Sequence, residues 1–194
     1  MTPPAPTVGV LALQGDFREH RAVLERLGCN VTEVRLPEDL EGIDAIVIPG
    51  GESTTIGKLA VRFGVLEPLR SRIVEGLPTY GTCAGLIFTA VGVTEGDQAL
   101  LEVLDVVVER NAFGRQNESF EADLEIEGFD RPFHAVFIRA PWVAKVGSGV
   151  ETLATVDGHP VMVRQGNILG TAFHPELTAD DRIHELLISM ISSG

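Results

Sequence analysis

The stretch Leu77-Pro-Thr-Tyr-Gly-Thr-Cys-Ala-Gly-Leu-Ile-Phe-Thr-Ala-Val91 decides the fold. Leu77 to Tyr80 reads as a strand, Gly81-Thr82-Cys83-Ala84-Gly85 as a tight turn, and Leu86 to Val91 as the start of a helix. The same grammar precedes it. Val8-Gly-Val-Leu-Ala-Leu13 is an almost unbroken apolar run, the pattern of a strand buried on both faces. Leu13-Gln14-Gly15 turns the chain, and Phe17, Val23, Leu24 and Leu27 fall at helical spacing before Gly28 stops that helix. Val31 to Val34 makes a second strand. Asp44-Ala-Ile-Val-Ile48 makes a third, ending at Pro49-Gly50-Gly51, after which Ser53 or Thr54 caps a helix running to Phe63. A further helix covers residues 65–75 and stops at Gly76. Alternating strands and helices predict right-handed βαβ crossovers and an α/β fold with a mostly parallel central sheet flanked by helices.

The second half is richer in strands, at 103–109, 120–126, 133–138, 151–156, 160–165 and 168–173. Asp157-Gly158 marks a type I′ hairpin between two of them. These hairpins predict an antiparallel extension of the parallel core. A helix over residues 180–191 places Ile183, Leu186, Leu187 and Met190 on one side and closes the fold.

With 194 residues, 44% hydrophobic and 22% charged, the chain suits a single domain over 1–194 with a sizeable core, preceded by a loose Pro-rich tail at 1–6. Fifteen basic against twenty-eight acidic residues give a net charge of −13, which repels a phosphate backbone or an anionic bilayer. Nucleic acid and membrane are therefore disfavoured as partners. There is no apolar run of roughly 18 residues and no signal peptide, and the two cysteines, Cys29 and Cys83, fit a reducing compartment. The cytoplasm is the expected location.

Chemistry concentrates at two places. Gly81-Thr-Cys-Ala-Gly85 has the form G-x-C-x-G between a strand and a helix, the thiol counterpart of a nucleophile elbow. The helix N-terminus favours thiolate, and the Ala84 amide can donate to an oxyanion. The alternative for Cys83 is a buried structural thiol. His174-Pro175-Glu176 follows the strand ending at Phe173. The two-residue repeat of a strand puts His174 and Glu176 on one side, with Glu176 orienting the imidazole. Pro49-Gly-Gly-Glu-Ser53 is a second glycine turn able to aim N–H groups at negative charge. Arg110, Arg115 and Arg139 stand near strand ends, where an arginine can hold a carboxylate or simply belong to a solvated loop.

Other chemistries fail on spacing. Five residues rather than four separate Gly51 from Gly57-Lys58, and Leu59 stands where Ser or Thr is required, which excludes a P-loop. No G-x-G-x-x-G follows the first strand, and His184-Glu185 lacks the second histidine of H-E-x-x-H, where Ile188 stands. His20, His134, His159 and His184 read as surface or structural, and Cys29 as an apolar filler. No metal and no cofactor is expected.

Together, Gly81-Thr-Cys-Ala-Gly85 and His174-Pro-Glu176 resemble the class I, triad-type glutamine amidotransferases, whose glutaminase domain has a flavodoxin- or Rossmann-like three-layer fold. Leu13-Gln-Gly15, Pro49 to Thr55, Glu109-Arg-Asn-Ala-Phe-Gly-Arg-Gln116, Ser119-Phe-Glu121 and Phe137-Ile-Arg-Ala-Pro141 are similar to the branch formed by glutaminase subunits of pyridoxal 5′-phosphate synthases. Ala112 stands where many of these carry Ser. The resemblance implies hydrolysis of L-glutamine to glutamate and ammonia through Cys83, His174 and Glu176 and a glutamyl thioester. It further implies an oxyanion hole from the backbone N–H groups of Gly51 and Ala84, and glutamine binding by Gly51, Glu52, Ser53, Arg110, Ile138 and Arg139. Gln14 becomes a candidate for the partner interface. The implied partner is a synthase subunit, a (β/α)₈ barrel that takes the ammonia through a channel, in a hetero-oligomer. Two alternatives remain at this point: another hydrolase or peptidase on the same elbow, and a non-catalytic subunit that keeps the fold for assembly.

Overall fold

The computed structural model describes residues 4–113 and 119–191, so Arg115 lies outside the described residues. The chain opens with β1 (Thr7–Leu11), α1 (Phe17–Arg26) and β2 (Asn30–Val34), followed by β3 (Ala45–Ile48), α2 (Ser53–Arg62), α3 (Leu66–Val74) and β4 (Thr79–Thr82). α4 (Ala84–Thr89) leads into β5 (Ala90–Val93) and β6 (Leu104–Glu109). β7 (Ser119–Leu124), β8 (Phe133–Ile138), β9 (Trp142–Val146), β10 (Glu151–Val156), β11 (His159–Gln165), β12 (Ile168–Thr171) and α5 (Arg182–Ile191) complete it.

A seven-stranded sheet runs in the order β10-β11-β12-β4-β3-β1-β2. β12, β4, β3, β1 and β2 are parallel neighbours, and β11 and β10 extend that core antiparallel. Every residue of β3, β4 and β12 is buried, which is what apolar runs covered on both faces require. Asp157 and Gly158 both have positive φ, +50° and +79°, as the two central residues of a type I′ turn must. Ala5 and Pro6, assigned to the tail by sequence, accept hydrogen bonds from Asn30 through their carbonyls at 3.3 and 2.9 Å.

Two regions depart from the sequence reading. The helix after the Cys83 turn stops at Thr89, and residues 90 and 91 open β5, which pairs parallel with β6. β9, unforeseen, joins the other side of β6, and among the described residues β7 pairs only with β8. The strands over 103–138, which the sequence assigned to no particular sheet, thus build two small sheets beside the central one. Among the described residues, no helix is long and apolar enough to cross a membrane.

The chain leaves β1 toward β2 and returns to β3 on β1's other side, so the order reverses there. Such reversals open a crevice at the carboxyl ends of the strands. The segments after β1, β3, β4 and β12 all emerge at that edge, carrying Gln14, Gly51, Cys83 and His174.

Candidate active site

The turn after β4 forces Cys83 into φ +49°, ψ −104°, a conformation that costs a side-chain-bearing residue roughly 1–3 kcal/mol. The surroundings hold it there. The Cys83 N–H donates to the Thr171 carbonyl at 2.7 Å, Thr82 Oγ1 donates to the Phe173 carbonyl at 2.8 Å, and the Cys83 carbonyl accepts from the Ile87 N–H at 3.2 Å. Gly85 is required because a Cβ there would overlap the Ile48 carbonyl oxygen of β3. Cys83 therefore sits on an elbow clamped by both neighbouring strands, and it is 8% exposed.

His174 and Glu176 meet, but not by strand alternation. β12 ends at Thr171, and Pro175–Leu177 forms a 3₁₀ turn that folds Glu176 back under the imidazole. His174 Nδ1 lies 2.6 Å from Glu176 Oε1, and the His174 N–H donates to the Val136 carbonyl of β8 at 2.9 Å. Burial alone depresses the imidazole's pKa, but hydrogen bonds with Cys83 and Glu176 and their charges outweigh it, raising His174 to about 10. Burial pushes the Glu176 carboxyl up, against the pull of His174. Asp16 Oδ2 stands 3.7 Å from His174 Nδ1. The donor atoms of Asp16, His174 and Glu176 lie within 4.8 Å of one another, a spacing open to a metal ion, yet Nδ1 is already engaged by Glu176.

Cys83, Ala84 and His174 line a cavity of about 420 Å³. Its walls include Gln14, the turn Gly51, Glu52 and Ser53, Arg110 after β6, and Ile138 and Arg139 at the end of β8. The structure thus gathers these sequence-selected residues at one opening, with Glu176 buried behind His174. A larger hollow of about 710 Å³ is lined by Arg131, His134, Asp180 and Arg182, and neither Cys83 nor His174 reaches it.

The second glycine turn is built differently from expectation. Glu52, not Ser53 or Thr54, caps α2, accepting from the Thr54 and Thr55 N–H groups at 3.1 and 2.8 Å. A carboxylate offers two acceptor oxygens to the free amides of the first turn, where a hydroxyl offers one. Burial raises the Glu52 pKa, but these hydrogen bonds prevail and hold the carboxyl below its ordinary value. Gln14 Oε1 accepts the Glu52 N–H at 2.7 Å, tying the β1 turn to the β3 turn. Gly50 packs so closely under the His174 imidazole that an added Cβ would lie 2.6 Å from its Cε1.

Sequence reasoning missed several residues here. Gln98 Oε1 accepts from Ser53 Oγ and Thr54 Oγ1 at 3.3 Å each and from Arg110 at 3.5 Å, linking α2 to the arginine. Asn111, at φ +48°, lines the cavity, as does Arg139 at φ +43°. Positive φ at two non-glycine residues on one rim is a strain signal that only the backbone reveals. His20 and His184, grouped with surface or structural histidines, are fully buried behind Glu176. His134 is exposed between Glu121 and Asp123, and His159 stacks on Trp142 at 3.6 Å.

Residues 10–193 match the model of the SNO glutamine amidotransferase family. The pyridoxal 5′-phosphate synthase subunit PdxT of Mycolicibacterium vanbaalenii is 55% identical over 193 residues, covering 97% of this chain and 99% of that protein. The protein of the same name from Streptomyces coelicolor is 54% identical, covering 97% and 95%. A crystal structure of a glutamine amidotransferase superposes with a TM-score of 0.92 at 55% identity, over 95% of this chain and 98% of that one. PurLQS from Thermotoga maritima, at 18% identity and a TM-score of 0.68, shares the fold. A cysteine elbow, a histidine–glutamate pair and a common cavity stand on a sheet shared with these proteins, and the chain belongs to the SNO glutamine amidotransferase family.

Proposed function

We propose that the chain hydrolyses L-glutamine to glutamate and ammonia and supplies the ammonia to a pyridoxal 5′-phosphate synthase partner. The observation that carries this reading is the His174–Glu176 contact of 2.6 Å behind a cavity that also holds the clamped Cys83. Family membership supplies the substrate.

In this mechanism Cys83 Sγ, as thiolate, attacks the glutamine side-chain carbonyl carbon, and the oxygen becomes an oxyanion. The tetrahedral intermediate collapses by breaking the C–N bond while the His174 imidazolium passes its Nε2 proton to the leaving nitrogen, releasing ammonia and a glutamyl thioester. His174, now neutral, takes a proton from water; the hydroxide adds to the thioester, and Cys83 leaves as thiolate with glutamate. Glu176 keeps the Nδ1 proton in place throughout, fixing the tautomer.

The Ala84 N–H, in the first turn of α4, and the Gly51 N–H are the proposed oxyanion donors. The Gly50 carbonyl accepts from the Asp16 N–H at 3.1 Å, which fixes the Gly50–Gly51 peptide in one orientation. A flip of that peptide on docking, exchanging one net hydrogen bond worth about 1 kcal/mol, would couple activity to the partner. Arg110 and Arg139 line the cavity and are the proposed carboxylate binders, Glu52, Ser53 and Ile138 complete the proposed glutamine wall, and Gln14, also on the lining, is the candidate for partner contact.

The test is intact-mass analysis after exposure to a glutamine-directed electrophile. Single labelling at Cys83, blocked by glutamine, supports the reading. No labelling with the partner present contradicts it.

A further inference from the structure

The triad does not end at Glu176. Its Oε1 faces His174, while Oε2 points into the interior, toward His20 on α1 and His184 on α5. Both histidines have no exposed surface. His20 Nε2 lies 3.5 Å from Glu176 Oε2, and His20 Nδ1 lies 2.9 Å from His184 Nε2. Tyr80 of β4 presents its ring at nearly right angles to both imidazoles, with interplanar angles of 81° and 87°. The His20 contact with Glu176 is longer than an ordinary hydrogen bond, so it acts as a charge–dipole contact in the resting site.

Proton counting separates two arrangements, since two neutral imidazoles carry one N–H each. If His20 Nδ1 donated to His184 Nε2, the lone pair of His20 Nε2 would face the lone pairs of Glu176 Oε2. His184 Nδ1 would then carry a buried proton with no acceptor among the described residues. If instead His184 Nε2 donates to His20 Nδ1, the His20 proton must sit on Nε2, aimed at Oε2. Only the acceptor His184 Nδ1 is then left over.

We propose that His20 and His184 are positioning residues for the triad: a neutral relay, His184 Nε2–H to His20 Nδ1 and His20 Nε2–H toward Glu176 Oε2, that orients the Glu176 carboxylate. With a donor on each side, the carboxylate cannot rotate Oε1 away from His174 without losing both. This role rests on the reading of His174 as the catalytic base. Neutrality is what burial enforces: it pulls His20 well below its ordinary pKa, with His184 and His174 adding to the effect. Burial likewise lowers His184 to about 4, with Arg26 acting the same way and Asp181 opposing. The other titratable groups facing this cluster are Tyr80, Cys83 and Asp16, and burial holds Tyr80 neutral.

Long-range proton–nitrogen NMR of the full-length, ¹⁵N-labelled protein at neutral pH reads the tautomers directly. The relay requires both His20 and His184 as neutral Nε2–H tautomers. A proton on His20 Nδ1, or either ring as imidazolium, overturns it. A second arm compares His20→Leu, which removes the donor, with His20→Gln, whose amide restores a donor near the Nε2 position. With the synthase partner present, His20→Leu should lower kcat roughly tenfold to a hundredfold at unchanged KM, as loss of a group orienting a reacting residue does. His20→Gln should regain at least half of that loss on a logarithmic scale. Equal kcat in His20→Leu and the unaltered protein, or equal loss in both variants, contradicts the relay. Absence of glutamine turnover in the unaltered protein would instead overturn the glutaminase reading, leaving the tautomers to decide the hydrogen-bond assignment.

Discussion

His174 Nδ1 and Glu176 Oε1 stand 2.6 Å apart although only Pro175 separates them in the chain. The pair forms because Pro175 opens a 3₁₀ turn at the end of a buried parallel strand. His174 is thereby locked from behind while its other nitrogen is left to the cavity. Replacing Glu176 by Gln keeps the shape and alters which proton the ring carries. Glu176→Gln should lower kcat for glutamine hydrolysis by about 10²–10⁴-fold with little change in KM, measured as glutamate release with the synthase partner. A kcat within twofold of the unaltered protein would remove Glu176 from the mechanism.

The same pair has a pH signature. His174 titrates near 10 in the folded protein against about 6.5 for an unperturbed imidazole, so the native state binds a proton there that the unfolded chain releases. The associated stability is fully present below about 6.5 and disappears as pH rises through 10. Denaturant midpoints of the unaltered protein should therefore fall more steeply between these limits than those of His174→Gln. In Cys83→Ala, NMR titration should place the His174 pKa lower, because one of the groups raising it is gone.

Gly50 tests how closely the imidazole is packed. A methyl group there would lie 2.6 Å from His174 Cε1, so the ring must move. Gly50→Ala should cost roughly a hundredfold in kcat, the usual consequence of displacing a reacting group by about 1 Å. Circular dichroism should show the fold retained, since β3 itself ends at Ile48.

Arg139 adopts φ +43° at the cavity rim, and Arg110 lies 3.6 Å from Glu52. Each is assigned to the substrate carboxylate. Removing a hydrogen bond to a charged group costs about 1.5–3 kcal/mol, so Arg110→Ala or Arg139→Ala should raise KM for glutamine roughly tenfold to a hundredfold. Steady-state kinetics with the partner saturating would separate this from an effect on kcat. Unchanged KM in both variants would place the carboxylate elsewhere.

The sequence made the core of this site legible because each part has a short-range signature. Cys83 sits between two glycines after an apolar run, and Gly50-Gly51 closes another. Their meeting follows from parallel pairing, since strands buried on both faces must lie side by side and deliver their carboxyl ends to one edge. His174 and Glu176 meet as the His-x-Glu spacing predicts, but a 3₁₀ turn rather than a strand repeat brings them together. Sequence marks Glu52 as a ligand candidate, and Ser53 and Thr54, commoner capping types beside it, hide its role as the α2 cap.

What stayed hidden depends on distant chain. His20 and His184 are 164 residues apart, and although each falls at helical spacing with the apolar residues of its own helix, nothing local shows that the two meet each other or Glu176. β5 is four residues long, too short for its period to be told from a continuing helix, and its partner β6 begins eleven positions beyond its end. The strain at Asn111 and Arg139 belongs to the backbone and leaves no mark in residue type.

The central claim is glutamine hydrolysis through Cys83, His174 and Glu176 in the service of a synthase partner. Glutamate release from glutamine by the purified chain, alone and with a pyridoxal 5′-phosphate synthase partner subunit, tests it directly with Cys83→Ala as control. The account predicts release that rises with the partner and vanishes in Cys83→Ala. No release under either condition, or equal release from Cys83→Ala, would contradict it.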